Sequence, residues 1–368
     1  MRVSLPTIPH VITASGTQTI SPAVAVERIA SFLAPGNVAL LTGAGVSVDS
    51  GIRAYRGKDG RYMNPNYKPI FYHELIDESE KGFAFRQRYW LRSYLGYPPV
   101  RDAQPNATHF ALAALQYSSH ITRLVTQNVD GLHGKAIAHL WGQSQLREKI
   151  LELHGTLHRV RCKHGHITNR DTFQEWLSDC NPQWKKYADG LGVAGKKPRT
   201  NPDGDVELEG VSYDDFEVPD CPQCFLENRR NSIHKPEVIF FGESIPAVIK
   251  ERSFRCVEQS DRLFVLGTTL ATFSAFRLIK RALEMKKPVL LLNVGPTRAD
   301  GLPGIEKIEI ASGLVMRDVV KAVLGSEVEG DTIIANMLSS GIYKPPADDS
   351  ERGDVVSDSD RVIDHRKM

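Results

Sequence analysis

Short runs, most of them apolar nearly throughout, recur along this chain at 38–42, 121–126, 238–241, 263–266, 289–294 and 307–310. A strand with one face in water alternates apolar and polar residues, whereas an unbroken apolar run asks to be covered on both faces. Apolar residues at helical spacing over 23–33, 110–117 and 275–284 supply covering layers. Strands of this kind separated by helices specify an α/β fold, a doubly wound parallel (Rossmann-like) sheet. Ligands of such sheets collect at the carboxyl ends of the strands, so the residues just after each run are where chemistry is expected.

The 368 residues allow two or three domains, or one large domain with a smaller insert. Lys plus Arg is 46 and Asp plus Glu is 44, a net charge of +2. That balance exerts no broad pull on polyanions, so neither direct nucleic-acid binding nor a membrane partner is expected. No apolar run approaches the ~20 residues of a membrane span. Residues 1–21 are rich in Thr, Ser and Pro with no acidic residue, which suits a mitochondrial leader or a disordered tail. Residues 346–368 carry seven acidic and four basic residues and few apolar side chains, and read as a solvated acidic tail. The stretch 181–220 is rich in Gly, Pro, Lys, Asp and Asn and reads as a long loop. Five cysteines, an odd number, argue against a disulfide framework and leave metal binding open. Cys256 reads as a helix or core residue.

The first apolar run opens into Gly43-Ala44-Gly45-Val46-Ser47-Val48-Asp49-Ser50-Gly51. Glycines permit a tight turn and close approach to a phosphate, and a helix starting near Ser47 would aim free N–H groups at the anion. Val48 stands where the hydride-transfer fingerprint has its third glycine, which argues against a dehydrogenase. The run at 121–126 ends in Gln127-Asn128-Val129-Asp130-Gly131-Leu132-His133, side chains suited to ribose hydroxyls and a carboxamide. His154, before Gly155, is a candidate general base because imidazole titrates near neutrality. Cys221-Pro222-Gln223-Cys224 is one clean pair of soft ligands.

The segments GAGVSVDSGI, TQNVDGLH, His154-Gly155, PEVIFFGE, GTTL and NVGPT follow one another in the order found in sirtuins. From about residue 23 to 324 the sequence resembles the sirtuin family of NAD-dependent protein deacylases. The stretch 86–92, followed by Gly96-Tyr97-Pro98, resembles the class II branch, which includes mitochondrial members.

The resemblance implies a catalytic domain over 22–345. Its Rossmann-like part would be 22–52, 106–154 and 236–330; its small domain would be helical over 53–105 and zinc-binding over 155–235. It implies that Gly43, Ala44, Gly45 and Ser47 hold the pyrophosphate of NAD, and that Tyr55 and Arg56 cover the nicotinamide ribose. Gln127 and Asn128 would contact that ribose, Asp130 the carboxamide, and Gly267, Thr268 and Asn293 the adenosine half. Val238, Phe240, Phe241, Gly242 and Glu243 would pair with the backbone of an acylated-lysine protein or peptide by strand addition. The implied reaction joins the acyl oxygen to C1′ of the ribose as nicotinamide leaves, with His154 then acting as base to activate a ribose hydroxyl. Its products are free lysine, nicotinamide and O-acyl-ADP-ribose. A protein mono-ADP-ribosyltransferase on the same scaffold is the alternative. The mitochondrial matrix is the implied compartment, with cytoplasm or nucleus as alternatives.

The family also implies one structural Zn²⁺ on two cysteine pairs, and here the first pair is broken. Cys162 is followed by His164 and His166 and by no second cysteine at the usual spacing. Cys162, His164, Cys221 and Cys224 form the favoured ligand set, His166 and Cys180 being the other available donors and a metal-free site the remaining alternative. The chain has Arg53-Ala54 where sirtuins usually have Pro-Asp, and Arg53 is open to a phosphate or an acidic acyl group. Arg86, Arg88, Tyr89 and Arg92 either line the acyl channel or form a basic helix face packed on the small domain.

Overall fold

In a computed structural model of the protein, residues 20–56, 60, 62, 69–193, 200–206, 208 and 210–344 are described. The acidic tail expected over 346–368, and all but Ile20 and Ser21 of the leader expected over 1–21, lie outside the described residues.

The strands among the described residues are Val38–Thr42 (β1), Ile121–Thr126 (β2), Ile150–Glu152 (β3), Gly155–Cys162 (β4), Ile167–Asn169 (β5), His234–Val238 (β6), Arg262–Leu266 (β7), Val289–Leu292 (β8) and Ile305–Ile308 (β9). Six of them form a wholly parallel sheet in the order β3-β2-β1-β7-β8-β9. Successive β1 residues enter opposite cores. Val38 and Leu40 pack under the helices Pro22–Leu33, Ala107–Tyr117 and Ser312–Leu324. Ala39 and Leu41 pack under Ala247–Glu258 and Phe273–Glu284. The same alternation holds for β7 and β8, which is why the runs are apolar at every position. The chain leaves β1 for β2 on one side and adds β7 on the other, so a crevice opens at the carboxyl ends of these strands.

Local chemistry marks the helix starts. Ser21 caps the first helix by accepting from the Val24 N–H, with Pro22 in its first turn. Asn106 caps Ala107–Tyr117 by accepting from the N–H groups of Thr108 and His109.

The second lobe is built from β4, β5 and β6, antiparallel in the order β5-β4-β6, and from the helices Glu80–Asp102, Arg170–Cys180 and Pro182–Val193. Its core joins Trp90, Tyr94 and Phe173 to Trp184, Val206 and Phe216. The last three belong to the polar stretch 181–220, whose described residues pack on the lobe through them instead of looping away. The buried guanidinium of Arg170 lies over the rings of Tyr97, Trp90 and Phe173 and hydrogen-bonds Ser93 and Gln174.

Two further expectations are corrected, and one open choice, between an acyl-channel lining and a basic helix face packed on the small domain, falls to the packed face. The run 238–241 is no strand of the parallel sheet: β6 ends at Val238, opposite Gly155 in the small sheet. The three-residue β3 takes the sheet's edge instead. The basic face of Glu80–Asp102 packs inside its own lobe. Arg86 donates to the Leu75 and Asp77 carbonyls, Arg92 pairs with Asp205 at 2.7 Å and donates to the Val206 carbonyl, and Tyr89 is buried against Trp90 and Phe240. The loop after β1 forms a four-residue 3₁₀ turn, Ala44–Ser47, in place of an α-helix starting near Ser47.

Candidate functional site

A cleft of about 960 Å³ runs along the carboxyl ends of the parallel strands, between the two lobes. Gly43, Ala44, Gly45, Tyr55, Arg56, Gln127, Asn128, His154, Gly267, Thr268 and Asn293 line it, as do Val238, Phe240, Phe241, Gly242 and Glu243. Ser47 and Asp130 stand one layer behind the wall. Arg53 is only 4% exposed and does not line the cleft, whereas Ala54 does.

The glycine loop owes its shape to a second loop. The Gly43 N–H donates to Leu266 and that of Gly45 to Gly267, so the turn after β1 lies against the turn after β7. A Cβ on Gly45 would sit 2.8 Å from the Gly267 oxygen, and one on Gly43 2.6 Å from the Thr268 Cβ. Gly267 has φ +62° and faces the Val46 N–H. No side chain fits between these backbones. The Gly43, Gly45 and Val46 N–H groups are taken up by the Leu266, Gly267 and Gly43 carbonyls, so what the turn brings to the cleft is an edge of backbone with little side chain in front of it.

Behind this edge lies a polar network. Ser47 donates to Asp130 Oδ2 at 2.8 Å, Asn128 Nδ2 donates to Ser47 Oγ at 3.2 Å, and Asp130 Oδ1 accepts from the Leu132 N–H at 3.0 Å. Burial pushes the Asp130 carboxyl above the usual carboxylate range, and the Leu132 and Ser47 donors pull it back in part. Gln127 Nε2 donates to Thr268 Oγ1 at 2.9 Å, and its carbonyl accepts from Thr272. Gln127 therefore spans the gap between the ends of β2 and β7. Asn293, after β8, folds its amide back on the Val294 and Gly295 carbonyls.

His154 lies two residues past the end of β3, after the buried Leu153. Its Nε2 lies 2.8 Å from the hydroxyl of Ser274, and its carbonyl accepts from the Ile239 N–H. Loss of hydration pushes the ring down to about 4, a backbone bond with Gln127 opposing and the Arg277 charge assisting. The imidazole is therefore neutral at pH 7, the state a base needs. Gly155 has φ +77°, and a Cβ there would strike the Glu237 carbonyl at 1.8 Å, so the turn that seats His154 admits only glycine. His158 is turned away, with Nε2 2.9 Å from the Asp130 carbonyl.

Residues 239–243 form a ledge on the cleft. Glu243 accepts from the Phe240 N–H at 3.0 Å and pairs with Lys235, closing a tight turn. The Phe241 carbonyl accepts from the Tyr72 N–H. Opposite, Tyr55 stacks on Tyr62 at 5.0 Å, and Arg56 lies over the Tyr62 ring.

The metal centre differs from expectation in one ligand. Ligand atoms of Cys162, His166, Cys221 and Cys224 all lie within 4.8 Å of one another. Tetrahedral zinc, with Zn–S near 2.3 Å and Zn–N near 2.05 Å, requires S···S of about 3.8 Å and S···N of about 3.6 Å. Here Cys162 and Cys224 are 3.8 Å apart, and His166 Nδ1 is 3.5, 3.6 and 3.4 Å from the sulfurs of Cys162, Cys221 and Cys224. The Cys₃His set fits zinc, and His166 Nε2 meets Glu227 at 3.1 Å, an acceptor that fixes the tautomer. His164, the favoured donor, is excluded by the hairpin. Gly165, at φ +93°, turns the chain, the Cys162 N–H donates to the His166 carbonyl, and Arg161 pairs with Ile167. In that register residue 166 faces 162, while His164 sits exposed at the tip beside Arg229. Cys180 ends a helix outside the cluster, and Cys256 is buried under the main sheet.

Tyr62, Asp203, Thr272 and Ser274 also line the cleft and were not read from the sequence. Thr272 and Ser274 carried a signal, as polar residues shortly after the GTTL segment that follows β7.

The Sir2 family profile matches residues 43–274. The NAD-dependent protein deacylase SIR4 of Batrachochytrium dendrobatidis is 42% identical over 293 residues, covering 78% of this chain and 90% of that protein. The NAD-dependent protein deacylase Sirt4 of Drosophila melanogaster is 37% identical over 284 residues, covering 76% and 82%. The crystal structure of a Sir2 homologue in complex with NAD matches with a TM-score of 0.55 and 26% identity over 81% of this chain and 93% of that one. With the family profile spanning both strand-end motifs and the zinc module, and with relatives this close over most of their length, the chain belongs to the Sir2 family.

Proposed function

We propose that the protein is an NAD-dependent protein-lysine deacylase whose base is His154. One observation carries this reading. The glycine loop, the Gln127–Asn128 strand end and the 239–243 ledge share one cleft, and His154 joins them, adjoining Gln127 on one side and bonded to Ile239 on the other.

The backbone edge at Gly43, Ala44 and Gly45 suits a pyrophosphate, because the two glycines let the main chain line the cleft with nothing larger than the Ala44 methyl in front of it. Ser47 acts through Asp130 and Asn128 instead of reaching phosphate itself. Gln127 and Asn128 orient ribose hydroxyls, Asp130 behind them accepts from an amide, and Thr268 and Asn293 edge the adenosine side. Tyr55 and Arg56 close over the nicotinamide end and exclude water. Bound NAD supplies a glycosidic bond whose cleavage releases nicotinamide and opens C1′ to the acyl oxygen. The Val238–Glu243 turn presents backbone to an acyl-lysine peptide, and the neutral His154 takes a proton from a ribose hydroxyl. The Cys₃His centre fixes the second lobe and lies outside the cleft. Residence in the mitochondrial matrix belongs to the same reading. The acid-poor leader and the class II stretch support it.

The test is NAD-dependent turnover of a panel of acyl-lysine peptides, with nicotinamide as inhibitor. Free lysine and O-acyl-ADP-ribose should appear in equal amounts, and His154→Ala should abolish both while NAD still binds. ADP-ribose attached to an acceptor protein, without deacylation, would favour the transferase alternative.

A further inference from the structure

The proposed base is held by one side chain to which the reaction so far gives no role. Ser274 lies in the first turn of the Phe273–Glu284 helix and lines the cleft. Its hydroxyl is 2.8 Å from His154 Nε2. A base that takes a proton at Nε2 has its lone pair there, which leaves the ring proton of the neutral imidazole on Nδ1. The Ser274 O–H therefore donates to Nε2, the atom that must later receive the ribose proton.

One helical turn on, Arg277 lies with its guanidinium over the Phe254 ring. Its Nε and one Nη are buried without a hydrogen-bond partner, and no carboxylate pairs with it among the described residues. An uncompensated cation resists a second positive charge nearby, and it lowers the proton affinity of His154. The other ionisable side chains on the cleft, Asp49, Tyr55, Arg56, Tyr62, Asp203 and Glu243, stand on other segments.

We propose that Ser274 is a positioning residue for His154: its hydroxyl fixes the tautomer and aim of the ring in the free enzyme, then gives up Nε2 to the ribose hydroxyl. This inference rests on His154 being the base.

The experiment compares Ser274→Ala, Ser274→Thr and Arg277→Gln with the parent chain, reading kcat, KM for NAD and the pH profile of deacylation. For Ser274→Ala, kcat should fall about tenfold, as expected on losing one orienting hydrogen bond. KM for NAD should change less than about twofold, because the lost bond acts on the base and not on cofactor binding. Ser274→Thr, which keeps the hydroxyl, should recover most of the loss. The Ser hydroxyl stabilises the neutral ring and Arg277 destabilises the charged one, so removing either raises proton affinity. The acid limb should then move to higher pH, by about half a unit or more. If Ser274→Ala keeps parental kcat and an unmoved acid limb while His154→Ala is inactive, the Ser274 inference fails alone. If His154→Ala itself turns over, the base reading fails and takes this inference with it. Should Arg277→Gln not fold, the two Ser274 variants decide.

Discussion

At the scale of single residues, glycines do two unlike jobs in this chain, and the surroundings separate them. Gly45 lies where any side-chain carbon would press on the Gly267 backbone at 2.8–3.0 Å. Neither loop can yield, because Gly45 N–H and Gly43 N–H tie them together. Gly134 lies within the short helix Leu132–Ile137, and nothing comes inside 4 Å of the place a Cβ would take there. Gly45→Ala is expected to destabilise the protein by roughly 1–3 kcal/mol, the usual result of overpacking, and to weaken NAD binding by separating the two turns that line the cleft with backbone. Gly134→Ala should be neutral or stabilise by about 0.5–1 kcal/mol, because alanine loses less backbone entropy in a helix. Thermal melts and NAD titration calorimetry of the two variants provide the check. Equal effects would mean that the close approach of the two loops is not what the glycines serve.

At the scale of elements, the β4–β5 hairpin decides the metal site. Its register sets His166 across from Cys162 and leaves His164 at the tip. His166→Ala is expected to match Cys221→Ser, with loss of zinc and of soluble protein, since structural zinc contributes directly to folding. His164→Ala should keep its zinc and its stability within about 0.5 kcal/mol, as exposed substitutions do. Metal analysis and melting curves distinguish them, and the opposite pattern would overturn the register. The sequence displays the ligand types but not the choice among them, because that choice rests on which residues the turn consumes. Gly165 was the available clue. The strand ends were far more legible: in a doubly wound sheet the residues after β1 and β2 must face the ligand, so the glycine loop and Gln127–Asn128 declared themselves. Other features hid for physical reasons. The run at 238–241 is as apolar as a core strand, yet it serves a ledge between lobes. Arg86 and Arg92 stood between two readings because their partners, the carbonyls of Leu75, Asp77 and Val206 and the carboxylate of Asp205, are invisible in composition. Trp184, Val206 and Phe216 were too sparse in a polar stretch to signal a packed segment.

Across the whole molecule, the far end of the described chain returns to the cofactor loop. After the helix Thr332–Ser339, residues 341–344 run beside the start of Ala107–Tyr117 and then beside residues 49–51. The Ile342 N–H donates to the Pro105 carbonyl, and the Lys344 N–H donates to the Asp49 carbonyl at 2.7 Å. Gly341 lies so close to Asn106 and Ala107 that a Cβ would be 2.5 Å from the Ala107 nitrogen. The Lys344 stem packs on Gly51, where φ is +81° and the cofactor loop departs toward Tyr55 and Arg56. Asn106 also donates to the Val46 carbonyl at 2.8 Å, so one cluster fixes the helix start, the glycine loop and the strap together. Of residues 49–56, Ile52 enters an apolar cluster with Val100, Val129, Leu132, Leu157 and Val238, and a segment anchored at one apolar side chain depends on backbone bonds for the rest of its order. Ending the chain after Ser340 removes two such bonds while leaving the main sheet and the metal ligands untouched. KM for NAD should then rise several-fold, because more of the ordering cost falls on binding. The thermal midpoint should move by only a few degrees, in line with a loss of about 1–2 kcal/mol for two exposed hydrogen bonds. Steady-state kinetics and melting curves of the shortened chain measure both. An unchanged KM with a large fall in midpoint would show that the strap supports the core and not the loop.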